Sequence, residues 1–162
     1  TCVDDTYIYI GDDCMFGPNV MITTAGDPLL PELRVQGLQY NFPVHIGKNC
    51  WIGAGVNIMP GITIGDNVFF GPCVGLYTAS HPLPYALRNK GLEKASPITI
   101  GDNCWLGSNV MVMPGVTIGS GCVIGAGALV TKDIPDNSLA HGVPAKVVSV
   151  IDQHDLQSGL RS

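Results

Sequence analysis

Charged residues are scarce in this sequence, because Asp, Glu, Lys and Arg together make up 13% of its 162 residues, about half the usual share. The formal net charge is -5, and an acidic chain of this kind argues against a nucleic-acid partner. No apolar run reaches the ~18 residues of a membrane span, and no secretory leader is recognisable. The sequence also lacks a Walker loop and a dinucleotide-binding fingerprint. These absences predict that the protein has no membrane or nucleic-acid partner.

An aliphatic or aromatic residue recurs at every sixth position along most of the chain. These positions are Ile10, Phe16, Ile22, Ile46, Ile52, Ile58, Ile64, Phe70, Leu76, Ile100, Leu106, Val112, Ile118, Ile124 and Val130. Neither the 3.6-residue period of a helix nor the two-residue alternation of a strand gives this spacing. A six-residue repeat is typical of a parallel β-helix, in which three short strands form one triangular coil. We therefore predict an all-β fold with these side chains in its core.

The cysteines follow the same repeat. Those concerned are Cys2, Cys14, Cys50, Cys104 and Cys122, each two residues before an inward position or its extrapolation. Residues two apart on a strand face the same side, so these thiols are expected to pack in the core as small hydrophobes. No CxxC pair supports a zinc site. We therefore expect a cytoplasmic protein with reduced thiols and no bound metal.

Two interruptions of the repeat predict two projecting loops. Four hexads separate Ile22 from Ile46, and four hexads also separate Leu76 from Ile100. Because each spacing is a whole number of hexads, the chain leaves the coil and returns in phase. Residues 23–45 and 77–99 are thus expected to project from one face of a β-helix of about seven coils.

The two interruptions have similar sequences at an offset of nine hexads, which indicates an internal duplication. We interpret residues 1–151 as one β-helix domain, with a first partial copy in residues 1–61 and a second copy with a C-terminal cap in residues 62–151. Residues 152–162 are a polar tail. Since three hexads make one coil, the offset predicts that the copies lie three coils, or ~14 Å, apart.

Among the four histidines, His81 is the best placed for chemistry. It opens the second projecting loop and is followed by the rigid Pro82. His45 alternates with two core positions and is expected to face solvent, whereas His141 and His154 lie near the C-terminal end. A histidine is suited to general-base catalysis because imidazole titrates near neutral pH.

Several motifs of the second copy resemble those of the hexapeptide sugar O-acetyltransferases, a family that includes the maltose and galactoside acetyltransferases. They are TASHPL at residues 78–83, RNKGLE at 88–93, PITIGDNCWLG at 97–107, PGVTIG at 114–119, IGAGALVTKDIP at 124–135 and GVPAKVV at 142–148. The resemblance runs without a break through residues 62–151. Residues 1–61 resemble an upstream part of the galactoside type.

The resemblance implies a left-handed parallel β-helix, a homotrimer with active sites between subunits, and acetyl transfer from acetyl-CoA to a sugar hydroxyl. It implies His81 as the general base. Glu93 follows twelve residues later in the same projecting loop, where it either orients the imidazole or is an ordinary exposed glutamate. The positions that match the family's cofactor-binding residues are Trp105, Ser108, Ala126, Thr131, Lys132 and Lys146. The lysines would contact the phosphates of coenzyme A.

The two copies depart from the family pattern in opposite ways. In the first copy Asp27 stands at the base position, and carboxylates are much weaker bases than imidazole. This copy keeps Asp5 at the upstream position where the family has an acceptor-binding aspartate. The second copy has its base, but Met59 stands where that aspartate is expected. The donor and acceptor halves of one site are thus expected on different coils.

Three interpretations remain open at this point. The chain is an acetyl-CoA-dependent O-acetyltransferase with His81 as base, or a lengthened β-helix trimer scaffold, natural or engineered, whose catalytic residues are remnants. A γ-class carbonic anhydrase shares the fold, but it requires three histidine ligands, and only His81 is well placed.

Overall fold

The computed structural model describes residues 2–3, 6–28 and 30–155, most of which lie in very short strands and tight turns. The strands are, in chain order, β1 (Cys2–Val3), β2 (Ile8–Ile10), β3 (Met15–Phe16), β4 (Met21–Thr23), β5 (Ala25–Gly26), β6 (Tyr40–Asn41), β7 (Val44–Ile46), β8 (Trp51–Ile52), β9 (Asn57–Ile58), β10 (Ile62–Ile64), β11 (Phe69–Phe70), β12 (Gly75–Leu76), β13 (Ala79–Ser80), β14 (Lys94–Ala95), β15 (Ile98–Ile100), β16 (Trp105–Leu106), β17 (Met111–Val112), β18 (Thr117–Ile118), β19 (Val123–Ile124), β20 (Leu129–Val130), β21 (Ser138–Gly142) and β22 (Ala145–Val150). Two short helices, α1 (Pro31–Val35) and α2 (Tyr85–Arg88), lie in the projecting segments.

The strands form three sheets that enclose one core. Sheet A has the order β1-β4-β9-β12-β17-β20, sheet B has β18-β15-β10-β7-β2, and sheet C has β22-β21-β19-β16-β11-β8-β3. Neighbouring strands are parallel except β21 and β22, which form an antiparallel pair that ends sheet C. The chain passes from sheet B to sheet C to sheet A in each coil, which is the three-sided parallel β-helix that the hexads predict.

The strand register corrects the expected number of coils. Ile46 pairs with Ile64, three hexads later, but Ile10 pairs with Ile46, six hexads later, because a projecting segment intervenes. The three extra hexads of each projecting segment therefore add no coil. Within the described residues there are five complete coils with a partial turn at each end, and not about seven full coils.

The same register corrects the distance between the two copies. Ile10 and Ile64 are equivalent residues of the two copies, yet only β7 lies between their strands. The offset of nine hexads therefore corresponds to two coils and not to three. At ~4.8 Å for each strand spacing, equivalent residues of the two copies lie about 10 Å apart along the axis.

All inward positions of the hexads from Ile22 onward lie in the core. Ile52, Phe70 and Leu106 expose 0%, 3% and 0% of their surface, as predicted. Ile10 and Phe16 are exceptions, at 47% and 40% exposure. The reason is that their strands, β2 and β3, are edge strands, so no further coil covers these side chains.

The predicted core position of the cysteines is confirmed for Cys50, Cys104 and Cys122, which are buried. The thiol of Cys50 donates to the carbonyl oxygen of Gly65 in the next coil at 3.2 Å, and that of Cys104 donates to Gly119 at 3.0 Å. Burial raises the pKa of the Cys50 and Cys104 thiols to about 11 and also raises the pKa of Cys122. Cys14 is half-buried, and the side chain of Cys2 lies outside the described residues.

The corners of the coils require left-handed backbone conformations. One corner column carries Asn49, Asn67 and Asn103, whose φ angles lie between 52° and 58°. Their side-chain amides form a ladder, in which Asn49 donates to Asn67 at 2.8 Å and Asn67 to Asn103 at 3.1 Å. Asparagine is one of the few residues that accept this conformation at low cost. A second corner column contains Cys73, at a φ of 61°.

Candidate active site

Both predicted projecting segments are present, and they leave the coil at the same corner, directly after strands of sheet A. We call them the first excursion (residues 24–43) and the second excursion (residues 78–97). In the first, β5 pairs with β6 in an antiparallel hairpin that is closed by α1. In the second, β13 pairs with β14, and α2 closes the hairpin.

An arginine holds each excursion in shape. Arg34 Nη1 donates to the carbonyl oxygen of Pro28 at 2.5 Å. Arg88 is the equivalent residue of the second copy, and its Nη1 donates to the carbonyl oxygens of Pro82 at 3.2 Å and Leu83 at 3.0 Å. The duplicated sequence thus gives a duplicated loop geometry.

His81 lies at the end of β13, with its side chain exposed. Its Nδ1 is 3.2 Å from the carbonyl oxygen of Leu92. A carbonyl oxygen only accepts hydrogen bonds, so this contact assigns the proton to Nδ1 and leaves an available lone pair on Nε2. Nε2 is therefore able to take a proton from a hydroxyl group.

The Glu93 carboxylate is not the group that contacts the His81 imidazole in this structure. The group that hydrogen-bonds the imidazole is the backbone carbonyl of its neighbour Leu92. Within the described residues, the Glu93 carboxylate makes no hydrogen bond or ion pair, and it lines a pocket between the two excursions.

Trp105, Ser108 and Ala126 line one groove on the outer face of sheet C, with a volume of about 890 Å³. Gly107, which also lines the groove, lets adjacent coils stack closely, since a Cβ added there would lie 2.7 Å from the backbone nitrogen of Ala126. The other expected cofactor residues, Thr131, Lys132 and Lys146, are exposed and do not line this groove.

The groove contains an aromatic column that the sequence analysis recognised only in part. Trp51, Phe69 and Trp105 are paired across adjacent strands and are 55%, 42% and 55% exposed. The rings of Trp51 and Phe69 meet edge to face, with their centroids 6.5 Å apart. Phe69 was missed, although its place directly before the inward Phe70 gives it the same phase as the two tryptophans.

The pocket between the excursions has a volume of about 450 Å³ and was not foreseen. Asp27, Gln39, Tyr40 and Phe42 line it from the first excursion, and Glu93 lines it from the second. Asp27, which stands at the base position of the first copy, therefore lines the same pocket as residues of the second copy. Asp5 lies outside the described residues.

No group of three or more His, Cys, Asp or Glu side chains that would hold a metal occurs within residues 2–3, 6–28 and 30–155. In the same residues, no helix is long and apolar enough to cross a membrane.

The sequence of this chain matches a protein-family model and is similar to several known proteins. Residues 43–78 and 97–132 match the family model described as "Bacterial transferase hexapeptide (six repeats)". The galactoside O-acetyltransferase of Escherichia coli is 44% identical over 137 residues, which are 83% of this chain and 67% of that protein. A relative from Schizosaccharomyces pombe is 53% identical over 125 residues, and the match spans 75% of this chain but only 60% of the relative's length.

Two solved structures of acetyltransferases have folds similar to that of this chain. A maltose O-acetyltransferase from Clostridium difficile superposes with a TM-score of 0.75 at 37% identity, over 90% of this chain and 70% of that one. A galactoside acetyltransferase in complex with coenzyme A gives a TM-score of 0.71 at 37% identity, over 92% of this chain and 66% of that one. The predicted left-handed parallel β-helix is confirmed.

Proposed function

The chain belongs to the bacterial hexapeptide transferase family, and we propose that it transfers an acetyl group from acetyl-CoA to a hydroxyl group of a sugar or a similar small acceptor. The names of its relatives support this activity. The observation in this chain that carries the proposal is the contact between His81 Nδ1 and the Leu92 carbonyl oxygen, which places the lone pair of the neutral imidazole on Nε2.

In the proposed reaction, His81 first accepts a proton and then donates it. Nε2 removes the proton of the acceptor hydroxyl as the oxygen attacks the thioester carbonyl carbon. The new C–O bond forms, the C–S bond of the tetrahedral intermediate breaks, and Nε2–H returns the proton to the leaving sulfur of coenzyme A. The Leu92 carbonyl oxygen stabilises the imidazolium that exists between the two transfers, because it accepts the Nδ1–H hydrogen bond.

We propose that acetyl-CoA lies along sheet C, in the groove of Trp105, Ser108 and Ala126. Its apolar rings and glycine floor suit the pantetheine arm. Thr131, Lys132 and Lys146 would lie beyond the groove and contact the phosphates, since lysine is a common phosphate ligand.

A homotrimer with sites between subunits is part of the proposal. The exposed rings of Trp51, Phe69 and Trp105 form an apolar surface of the kind that monomers seldom leave in water. The cytoplasm is proposed as the compartment because Cys14, Cys50, Cys73, Cys104 and Cys122 are all free thiols.

One observation favours a second candidate, a lengthened β-helix trimer with impaired catalysis. Asp27 replaces the base in the first copy, and Met59 replaces the expected acceptor-binding aspartate in the second. Equivalent positions of the copies are two coils apart, about 10 Å along the axis, so the upstream position of the first copy does not take the place of Met59 in the second.

The test measures release of coenzyme A thiol by the purified protein from acetyl-CoA, with methyl β-galactoside, methyl β-glucoside or maltose as acceptor. We expect acceptor-dependent turnover, and a 10²- to 10⁴-fold lower kcat for His81→Ala. His45→Ala is the matched control, because His45 is exposed on the outer face of sheet B, where it stacks on Tyr9. If every variant releases thiol at the same background rate with and without an acceptor, the catalytically impaired β-helix trimer is supported instead.

A further inference from the structure

The pocket between the two excursions is a feature of the duplication, since each excursion supplies part of its wall. The first excursion contributes Asp27, Gln39, Tyr40 and Phe42, and the second contributes Glu93 and Lys94. The coil contributes Met59 and Pro60 as the floor. A β-helix with one excursion would have half of this pocket.

The two walls are fixed relative to each other. Arg34 of the first excursion donates a hydrogen bond to the carbonyl oxygen of Gly91 in the second. Gly91 has a φ of +74°, and a Cβ added there would lie only 3.0 Å from the Pro31 ring. The excursions are therefore in close contact beside the pocket, and the pocket is formed before any ligand arrives.

Three polar side chains in the pocket are available to a ligand. Asp27, Gln39 and Glu93 make no hydrogen bond or ion pair among the residues that the structure describes; Glu93 is half-buried, whereas Asp27 and Gln39 are exposed. A partly desolvated carboxylate gains from a hydrogen-bond donor, because such charge-assisted bonds are about twice as strong as neutral ones. The pocket therefore favours a ligand that donates hydrogen bonds.

The rest of the wall favours a ligand with an apolar face. The rings of Tyr40 and Phe42 are tilted by 50° with their centroids 6.4 Å apart, and both are partly exposed. Two carboxylates against the single ammonium group of Lys94 disfavour an anion. Hydroxyl groups on one side and C–H groups on the other are the chemistry of a neutral sugar.

We propose that this pocket binds the sugar acceptor within a single chain, with Asp27 as a binding residue that accepts a hydrogen bond from a sugar hydroxyl. This inference rests on the proposed acetyl transfer. Ala79 of β13 lines the pocket, and His81 follows two residues later on the same hairpin. The first excursion, which has no histidine base, thus supplies the acceptor contacts that the second copy lacks at Met59.

The experiment compares Asp27→Ala with the wild type and with Asp12→Ala as the matched control. Asp12 is an exposed carboxylate at a corner of the first coil, outside the pocket. Steady-state kinetics are measured with methyl β-galactoside and with acetyl-CoA varied separately. Binding of the sugar without acetyl-CoA is followed by saturation-transfer difference NMR.

We expect Asp27→Ala to raise the sugar KM roughly ten- to a hundredfold, the effect of losing one charge-assisted hydrogen bond. The kcat and the acetyl-CoA KM should stay within about twofold of the wild type, and the NMR signal of the sugar should disappear. Asp12→Ala should match the wild type in all of these measurements.

An unchanged sugar KM in Asp27→Ala, together with an inactive His81→Ala, would overturn the pocket assignment and leave the proposed function intact. If the wild type shows no turnover, the proposed function fails, and the NMR experiment alone decides the pocket. A sugar signal that Asp27→Ala abolishes would then support it, and no signal from the wild type at millimolar sugar would overturn it.

Discussion

The guanidinium group of Arg34 donates a hydrogen bond to the carbonyl oxygen of Gly91, far along the chain, and this contact joins the two excursions. Gly91 directly precedes Leu92, whose carbonyl oxygen receives the Nδ1–H of His81. The first excursion therefore supports the segment of backbone that orients the proposed base. A duplicated loop that has no base of its own is thus in a position to affect catalysis.

Arg34→Met should loosen this contact and leave the coils unchanged. We expect faster amide hydrogen exchange in residues 27–42 and 89–95, and unchanged exchange in β8, β11 and β16. Arg88→Met is the control, because the side-chain hydrogen bonds of Arg88 to described residues go to carbonyl groups of its own excursion. Unchanged exchange at residues 89–95 in Arg34→Met would show that the two excursions are not coupled.

Lys132→Met and Lys146→Met should each weaken the binding of acetyl-CoA without altering the sugar KM. A charge-assisted contact to a phosphate is worth ~1.5–3 kcal/mol, so the acetyl-CoA KM should rise about ten- to a hundredfold. Lys48→Met, at an exposed corner of the second coil, is the control. Equal effects of all three substitutions would indicate a general charge effect and no phosphate site.

Trp51→Lys should prevent trimer formation, because it places a charge in the exposed aromatic column of sheet C. Light scattering at micromolar concentration should change from a trimer mass to a monomer mass. Thr63→Lys, on the outer face of sheet B, should remain a trimer. A wild type that is monomeric under the same conditions would contradict the proposed assembly directly.

Cys73→Asn should stabilise the protein by ~1 kcal/mol, since Cys73 has a φ of 61° that asparagine accepts more readily. The equivalent corners of neighbouring coils carry Asn19, Gly55, Asn109 and Gly127, all with positive φ. Urea unfolding gives the free energy of unfolding, and Cys73→Ala, which lacks the amide, should bring no gain. An equal gain from both substitutions would rule out the backbone explanation.

The buried thiols of Cys50 and Cys104 should make stability depend on pH. Burial raises the pKa of both from 9.0 to about 11. The folded state thus keeps two protons that the unfolded chain releases near pH 9, so the free energy of unfolding should fall as the pH rises from about 9 towards 11. Urea unfolding across this range measures the fall, and replacing both residues by Val should make it smaller. A pH dependence that the double variant leaves unchanged would assign it to other groups.

The hexads determined the β-helix because the contacts that form it are periodic. Each inward residue, such as Ile46, meets a residue of the same phase in the next coil, Ile64, so local spacing already specifies the neighbour. For the same reason, the core positions of Ile52, Phe70 and Leu106 and the burial of Cys50 and Cys104 followed from phase alone. The exposure of Ile10 did not follow from phase, because phase determines which way a side chain points but not whether another coil covers it.

The excursions follow no period, and only the tertiary structure decided their arrangement. Counting hexads placed the copies three coils apart, whereas strand pairing places them two coils apart, because excursion residues add sequence but no rise along the axis. The Leu92 partner of His81 depends on how one hairpin turns, and the pocket depends on the contact between Arg34 and Gly91. These contacts join residues that the six-residue repeat does not relate, so the spacing of residues in the sequence does not predict them.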